Sequence, residues 1–180
     1  MFGNEIKEVL VTEEQIAERC RELGEVLTND YADADGKVMV VALLKGAVPF
    51  LTELIKNIKL HIEIDYMDVS SYDGTESIGD VKINKDLNVS IKGVNILLVE
   101  DIIDTGRTIF EVKKLLYNKG AADVRVVSLL DKPERRVVDI KADYIGFDIP
   151  NEFVVGFGLD YNQVYRNLPY IGVLKPEVYE

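Results

Sequence analysis

The segment Glu100-Asp101-Ile102-Ile103-Asp104-Thr105-Gly106-Arg107-Thr108 gathers residue types that together can do chemistry. Thr105, Gly106 and Thr108 offer hydroxyls, a permissive backbone and N–H groups, and such oriented dipoles at the start of a helix hold a phosphate. Glu100 and Asp101 cannot be phosphate ligands, because like charges repel. Adjacent carboxylates can instead accept hydrogen bonds from vicinal hydroxyls and help hold a hydrated Mg2+. The segment reads as a site for a sugar that is both hydroxylated and phosphorylated. Helix capping alone would need only one of Asp104 or Thr105 and leaves Glu100 and Asp101 unexplained. The nucleotide-binding pattern G-x-x-x-x-G-K-[ST] is absent.

Strands and helices must position these groups. Val94-Asn95-Ile96-Leu97-Leu98-Val99 reads as a strand buried on both faces, and so does Val38 to Leu44. Thr12 and Gln15 have capping-box spacing, and Ile16, Cys20, Leu23 and Leu27 then fall on one helical face. A second helix is predicted to follow Lys45-Gly46 through Ile55. Ile109, Val112, Leu115 and Leu116 form the inner face of a third, which Gly120 is placed to end. Further strands are expected at Ile62–Tyr72, Val124–Leu130, Tyr144–Ile149, Phe153–Phe157 and Tyr170–Leu174. Ser70 to Asp80 is polar and rich in small residues, so it is expected to be a mobile loop. Strands alternating with helices imply an α/β fold with a largely parallel sheet, whose ligands sit beyond the carboxyl ends of the strands.

Composition narrows the function classes. The 180 residues fit one domain with a core that needs no disulfides. With 21 basic against 32 acidic residues the formal net charge is -11, which argues against a nucleic-acid surface. His61 is the sole histidine, which rules out a two-His metal site or a His-based triad within the chain. Cys20 has no partner for a disulfide. No apolar run reaches the ~20 residues a membrane helix needs, and MFGNEIKEVL lacks signal-peptide features. The expected location is the cytoplasm, without a membrane partner.

Val99 to Thr108 resembles the phosphoribosyl-pyrophosphate motif of the type I phosphoribosyltransferases. Other segments resemble the hypoxanthine-guanine branch of that family: Leu44-Lys45-Gly46 its pyrophosphate loop, Ser71-Tyr72 its catalytic loop, and Leu129 to Lys132 the strand bearing its base-recognition lysine. Phe153 to Asn162 resembles its purine pocket. The similarity runs from about Val9 to Leu174. It implies one domain over residues 1–180, with a central, mostly parallel sheet flanked by helices. A flexible loop at about 70–82 and a small hood from about 145–180, with an N-terminal contribution, would complete it.

The same resemblance implies transfer of the 5-phosphoribosyl group from phosphoribosyl pyrophosphate to hypoxanthine or guanine, giving IMP or GMP. Asp104 would be the general base. Glu100, Asp101, Asp104, Thr105, Gly106, Arg107 and Thr108 would hold ribose and 5-phosphate. Lys45, Gly46, Ser71, Tyr72 and Arg166 would hold pyrophosphate. Lys132, Phe153, Val154 and Asp160 would form the base pocket, and Glu100, Asp101 and Asp160 would serve Mg2+. Arg107 stands where some members have Lys, with little consequence expected. A homodimer or homotetramer is implied. Other readings are a phosphoribosyl-pyrophosphate-binding regulator without turnover, or a transferase for xanthine or uracil. His61, Cys20 and the C-terminal tyrosines are read as structural, and Arg135-Arg136 as a solvated pair.

Overall fold

A computed structural model describes residues 4–34, 36–71 and 81–180. Two strands explain the sheet's centre. In β2 (Val38–Leu43) every residue is buried, and in β5 (Asn95–Ile103) Ile96 to Val99 and Ile103 are. Their apolar runs, Val38–Leu43 and Ile96–Val99, are possible because helices cover both faces of the sheet. Val40, Ala42, Leu97 and Val99 pack in one core with α1 (Glu13–Asp30) and α2 (Ala47–Ile55). The alternate residues Met39, Val41, Ile96 and Leu98 pack in another with Ile109, Val112 and Leu116 of α3 (Arg107–Asn118). Such alternation is the period-two geometry of a strand.

The six strands lie in the order β4-β3-β2-β5-β6-β7, with β3 (Glu63–Ser71), β4 (Val81–Lys85), β6 (Asp123–Asp131) and β7 (Tyr144–Asp148). All pairings are parallel except β3 with β4. A second, antiparallel sheet has the order β1-β9-β8, from β1 (Ile6–Val11), β8 (Val154–Val155) and β9 (Ile171–Leu174). A short helix, α4 (Pro176–Tyr179), follows β9.

The capping box forms as expected: Gln15 N–H donates to Thr12 Oγ1 (3.3 Å) and Thr12 N–H to Gln15 Oε1 (2.8 Å). Gly120 follows the end of α3 with φ 93°, the left-handed conformation expected of it.

Several expectations are corrected. Strand β5 runs on to Ile103, because β6 continues beside it and pairs Ile102 with Leu130 and Ile103 with Asp131. Glu100 and Asp101 therefore lie within a strand and not past its end. Ser70, Ser71, Val81 and Lys82 of the expected loop belong to the β3–β4 pair; residues 72–80, Tyr72 among them, lie outside the described residues. The strand expected at 153–157 shrinks to two residues, since Gly156 and Phe157 turn the chain with φ 101° and 46°.

Candidate active site at the carboxyl edge of the sheet

The ends of β2, β5 and β6 bring three loops to one edge. After β5 the chain turns at Asp104-Thr105-Gly106 into α3. Gly106 has φ 83°, and an added Cβ would lie 2.5 Å from Ile140 Cγ2 and 2.8 Å from Arg136 Cδ. Only glycine adopts that backbone cheaply in so tight a space. Gly106 occupies the helix N-cap without a side-chain cap, so neither Asp104 nor Thr105 closes the first turn. The leading N–H groups of α3 are thus left for an anion.

The turn is braced from behind. Arg136 donates to the Asp104 carbonyl (2.8 Å) and pairs with Asp131, and Val137 N–H donates to the Thr105 carbonyl (3.1 Å). Arg136 is therefore an internal anchor, which corrects its reading as a solvated residue. Arg135 is no free cation either: its Nε lies 2.7 Å from Asp104 Oδ1. The contacts to Asp104 have no local sequence pattern, since it lies far upstream of both arginines, whereas Asp131 is only five residues from Arg136.

After β2 the Leu44–Lys45 peptide is cis. Gly46 is buried against the end of β5, where an added Cβ would lie 1.7 Å from Asp101 Oδ2. The loop also abuts the segment after β8: a Cβ on Gly158 would lie 1.9 Å from the Gly46 carbonyl oxygen. Lys45 Nζ reaches Gln163 Oε1 (3.3 Å). Arg166 pairs with Asp160 Oδ1 (2.8 Å) and donates to the Gly158 carbonyl (2.7 Å), while Gln163 N–H donates to Asp160 Oδ2 (2.8 Å). Both Asp160 oxygens are thereby engaged. The Nε of Arg166 is buried without a partner, a donor still to be satisfied.

Glu100 and Asp101 are both shifted in the same direction. Burial first, and the Asp101 carboxylate second, push Glu100 well above the ordinary carboxylate range. Burial also raises Asp101, against the Ile102 N–H that donates to its Oδ1 (2.9 Å). Glu100 Oε2 has no hydrogen-bond partner. Two crowded carboxyls that resist ionising together lack positive charge, and a hard divalent cation reverses that. Among the described residues no cluster of three or more His, Cys, Asp or Glu is arranged to hold a metal. Two carboxylates suit an ion that keeps most of its water and takes other ligands from phosphates.

Beside the turn opens a cavity of about 550 Å³ lined by Ile102, Asp104, Lys132, Arg135, Phe153, Val154, Asp160 and Tyr179, with Asn151, Glu152 and Leu159. That size accommodates a small heterocycle. Lys132 is only 7% exposed, and its Nζ donates to the Glu152 carbonyl (2.6 Å). Burial lowers its pKa from the ordinary lysine value, while Asp104 opposes the shift. Phe153 stands at the rim, stacked on Tyr179 (centroids 4.7 Å, 21°) and edge-on to Tyr161 (5.8 Å, 87°). Ile102, Arg135 and Tyr179 line this cavity although sequence reasoning gave them no part in it. Ile102 lies inside the motif and could have been drawn in, whereas Tyr179 carries no such signal.

The edge thus joins a turn that opens a helix without a side-chain cap, a pair of buried neighbouring carboxyls, and a pocket with an aromatic wall and a buried lysine. Such a constellation defines a transferase of phosphorylated ribose. Residues 9–162 match the phosphoribosyl transferase domain, and the chain belongs to the phosphoribosyltransferase family. It is 60% identical to a hypoxanthine-guanine phosphoribosyltransferase of Lactococcus lactis, over 97% of this chain and 94% of that protein. A protein of the same name from Streptococcus thermophilus is 53% identical over 99% of both chains. In three dimensions the chain is similar to a crystal structure of a Staphylococcus aureus hypoxanthine phosphoribosyltransferase: TM-score 0.93, 53% identity, covering 98% of this chain and 96% of that one.

Proposed function

We propose that this protein transfers the 5-phosphoribosyl group from phosphoribosyl pyrophosphate to hypoxanthine or guanine, producing IMP or GMP and pyrophosphate. The observation that carries this reading is the adjacency of the Asp104–Thr108 turn to a pocket holding Lys132 and Phe153.

The amides and hydroxyls of Thr105, Gly106, Arg107 and Thr108 bind the 5-phosphate at the start of α3. Glu100 and Asp101 accept from the ribose hydroxyls and hold Mg2+. The buried, unpartnered Glu100 Oε2 and the all-oxygen donor set fit that ion. When bound, Mg2+ supplies positive charge to the pyrophosphate oxygens and neutralises the two carboxylates. Asp160 would serve a second ion only by sharing oxygens now engaged with Arg166 and Gln163. Lys45 and Gly46, with Arg166, receive the pyrophosphate; the free Nε of Arg166 is the donor at hand.

The base stacks on Phe153 with its edge along the Val154 backbone. Lys132 keeps one donor on Glu152 and turns another to the 6-oxo group, which favours oxopurines over adenine. Asp104, the catalytic residue, takes the N7 proton as the purine attacks ribose C1 and pyrophosphate leaves. The small antiparallel sheet forms a hood on one phosphoribosyltransferase domain. The protein works in the cytoplasm as a homodimer or homotetramer.

Spectrophotometric assay of hypoxanthine, guanine, xanthine, uracil and adenine, each with phosphoribosyl pyrophosphate and Mg2+, tests the proposal. Nucleotide from hypoxanthine or guanine is expected. Turnover of xanthine or uracil alone would reassign the substrate, and no product from any base would leave a binding protein.

A further inference from the structure

Asp104 meets Arg135 at the edge of the cavity. Its Oδ1 is buried beneath the Arg135 guanidinium, 2.7 Å from Nε, yet holds no hydrogen bond. The same short 3-10 turn, Pro133–Arg135, that begins beside Lys132 delivers this arginine. The turn is fixed at both ends: Lys132 N–H donates to the Ile103 carbonyl (3.0 Å), and Arg135 N–H donates to the Lys132 carbonyl (3.1 Å). Arg136 anchors its far side to Asp131 and to the Asp104 carbonyl. The Arg135 side chain is 47% exposed and borders the cavity.

We propose that Arg135 is a positioning residue that occupies Asp104 while the base pocket is empty and is displaced by the incoming purine. The idea rests on Asp104 being the general base. A guanidinium over Oδ1 keeps the carboxylate turned to the pocket, but it lies where the purine N7–H must come. The purine offers the hydrogen bond that the present contact lacks, so the exchange favours the substrate. Half-exposed ion pairs are weak, which makes the pair easy to open. Arg135 therefore competes with the base and has no direct claim on phosphoribosyl pyrophosphate.

The test compares the full-length enzyme with Arg135→Ala, Asp104→Asn and the double variant, in steady state with hypoxanthine, phosphoribosyl pyrophosphate and Mg2+. Arg135→Ala should lower the KM for hypoxanthine by about two- to fivefold, the strength of such a pair, with the KM for phosphoribosyl pyrophosphate unchanged. In the Asp104→Asn background the same replacement should leave the hypoxanthine KM unmoved. Arg135→Lys, which keeps a cation in reach, should restore a KM near the parent's. An unchanged or higher hypoxanthine KM in Arg135→Ala overturns the proposal. So does a fall of equal size when Asp104 is already Asn, because the effect would not run through the carboxylate. The base role itself is read separately, from kcat of Asp104→Asn: near-parental turnover there removes the general base whatever Arg135 does.

Discussion

Replacing Lys132 by Ala separates recognition of the base from recognition of the sugar. The ammonium is almost fully covered and already spends one donor on the Glu152 carbonyl at 2.6 Å. It lines the cavity together with Asp104 and Phe153. A hydrogen bond from a charged donor contributes about 1.5–3 kcal/mol, so its loss should raise the hypoxanthine KM by about 10- to 150-fold. The KM for phosphoribosyl pyrophosphate should stay within about twofold, because no 5-phosphate contact in the Asp104–Thr108 turn depends on Lys132. Lys132→Gln, which keeps a neutral donor worth about 0.5–1.5 kcal/mol, should fall between parent and Ala. Initial rates over a grid of both substrates measure all three proteins, with thermal melting to confirm that the fold survives loss of the Glu152 bond. Equal increases in both KM values, or none in either, would refute base recognition by Lys132.

Asp104→Asn should lose about 10²–10⁴-fold in kcat, the usual contribution of a positioned base; single-turnover rates at saturating substrates would check this. In Gly46→Ala the new Cβ would lie 1.7 Å from Asp101 Oδ2, which forces apart the loop after β2 and the end of β5. Displacements of that order cost about 10²-fold, so kcat/KM for phosphoribosyl pyrophosphate should fall by about that factor. Burial raises the Cys20 thiol to about 12. The folded chain then holds that proton where the unfolded chain releases it, so this contribution to stability is complete below about pH 9 and is lost as pH rises toward 12. Urea melts at pH 8 and 10 should show the parent losing more stability than Cys20→Ala, and a thiol reagent at pH 8 should label only unfolded protein.

Much of this architecture is written locally. The apolar runs of β2 and β5 and the Ile16–Leu27 stripe of α1 each point to their element, because a strand or helix dry on one or both faces must repeat its apolar residues at a fixed period. The segment Glu100–Thr108 was equally legible, since adjacent acids before a hydroxyl- and glycine-bearing turn have few other uses. What stayed hidden depends on distant partners. Strand β1 has only Val11 fully buried and owes its existence to β9 at the other end of the chain. Strand β4 is a polar edge strand, and only its pairing with β3 distinguishes Val81–Lys85 from a loop. Arg135 and Arg136 look like ordinary surface charge in Asp-Lys-Pro-Glu-Arg-Arg until the fold brings the Asp104 carboxylate to Arg135 and the Asp104 carbonyl to Arg136. Tyr179 becomes a wall of the cavity only because α4 returns over Phe153.

A crystal structure of the protein with IMP and Mg2+ is the most direct measurement. The 5-phosphate should lie within hydrogen-bond distance of the backbone N–H groups between Asp104 and Thr108, with the 6-oxo group on Lys132 Nζ and the ring against Phe153. A nucleotide whose phosphate lies at any other part of the sheet edge, or whose base lies outside the cavity, would contradict the account.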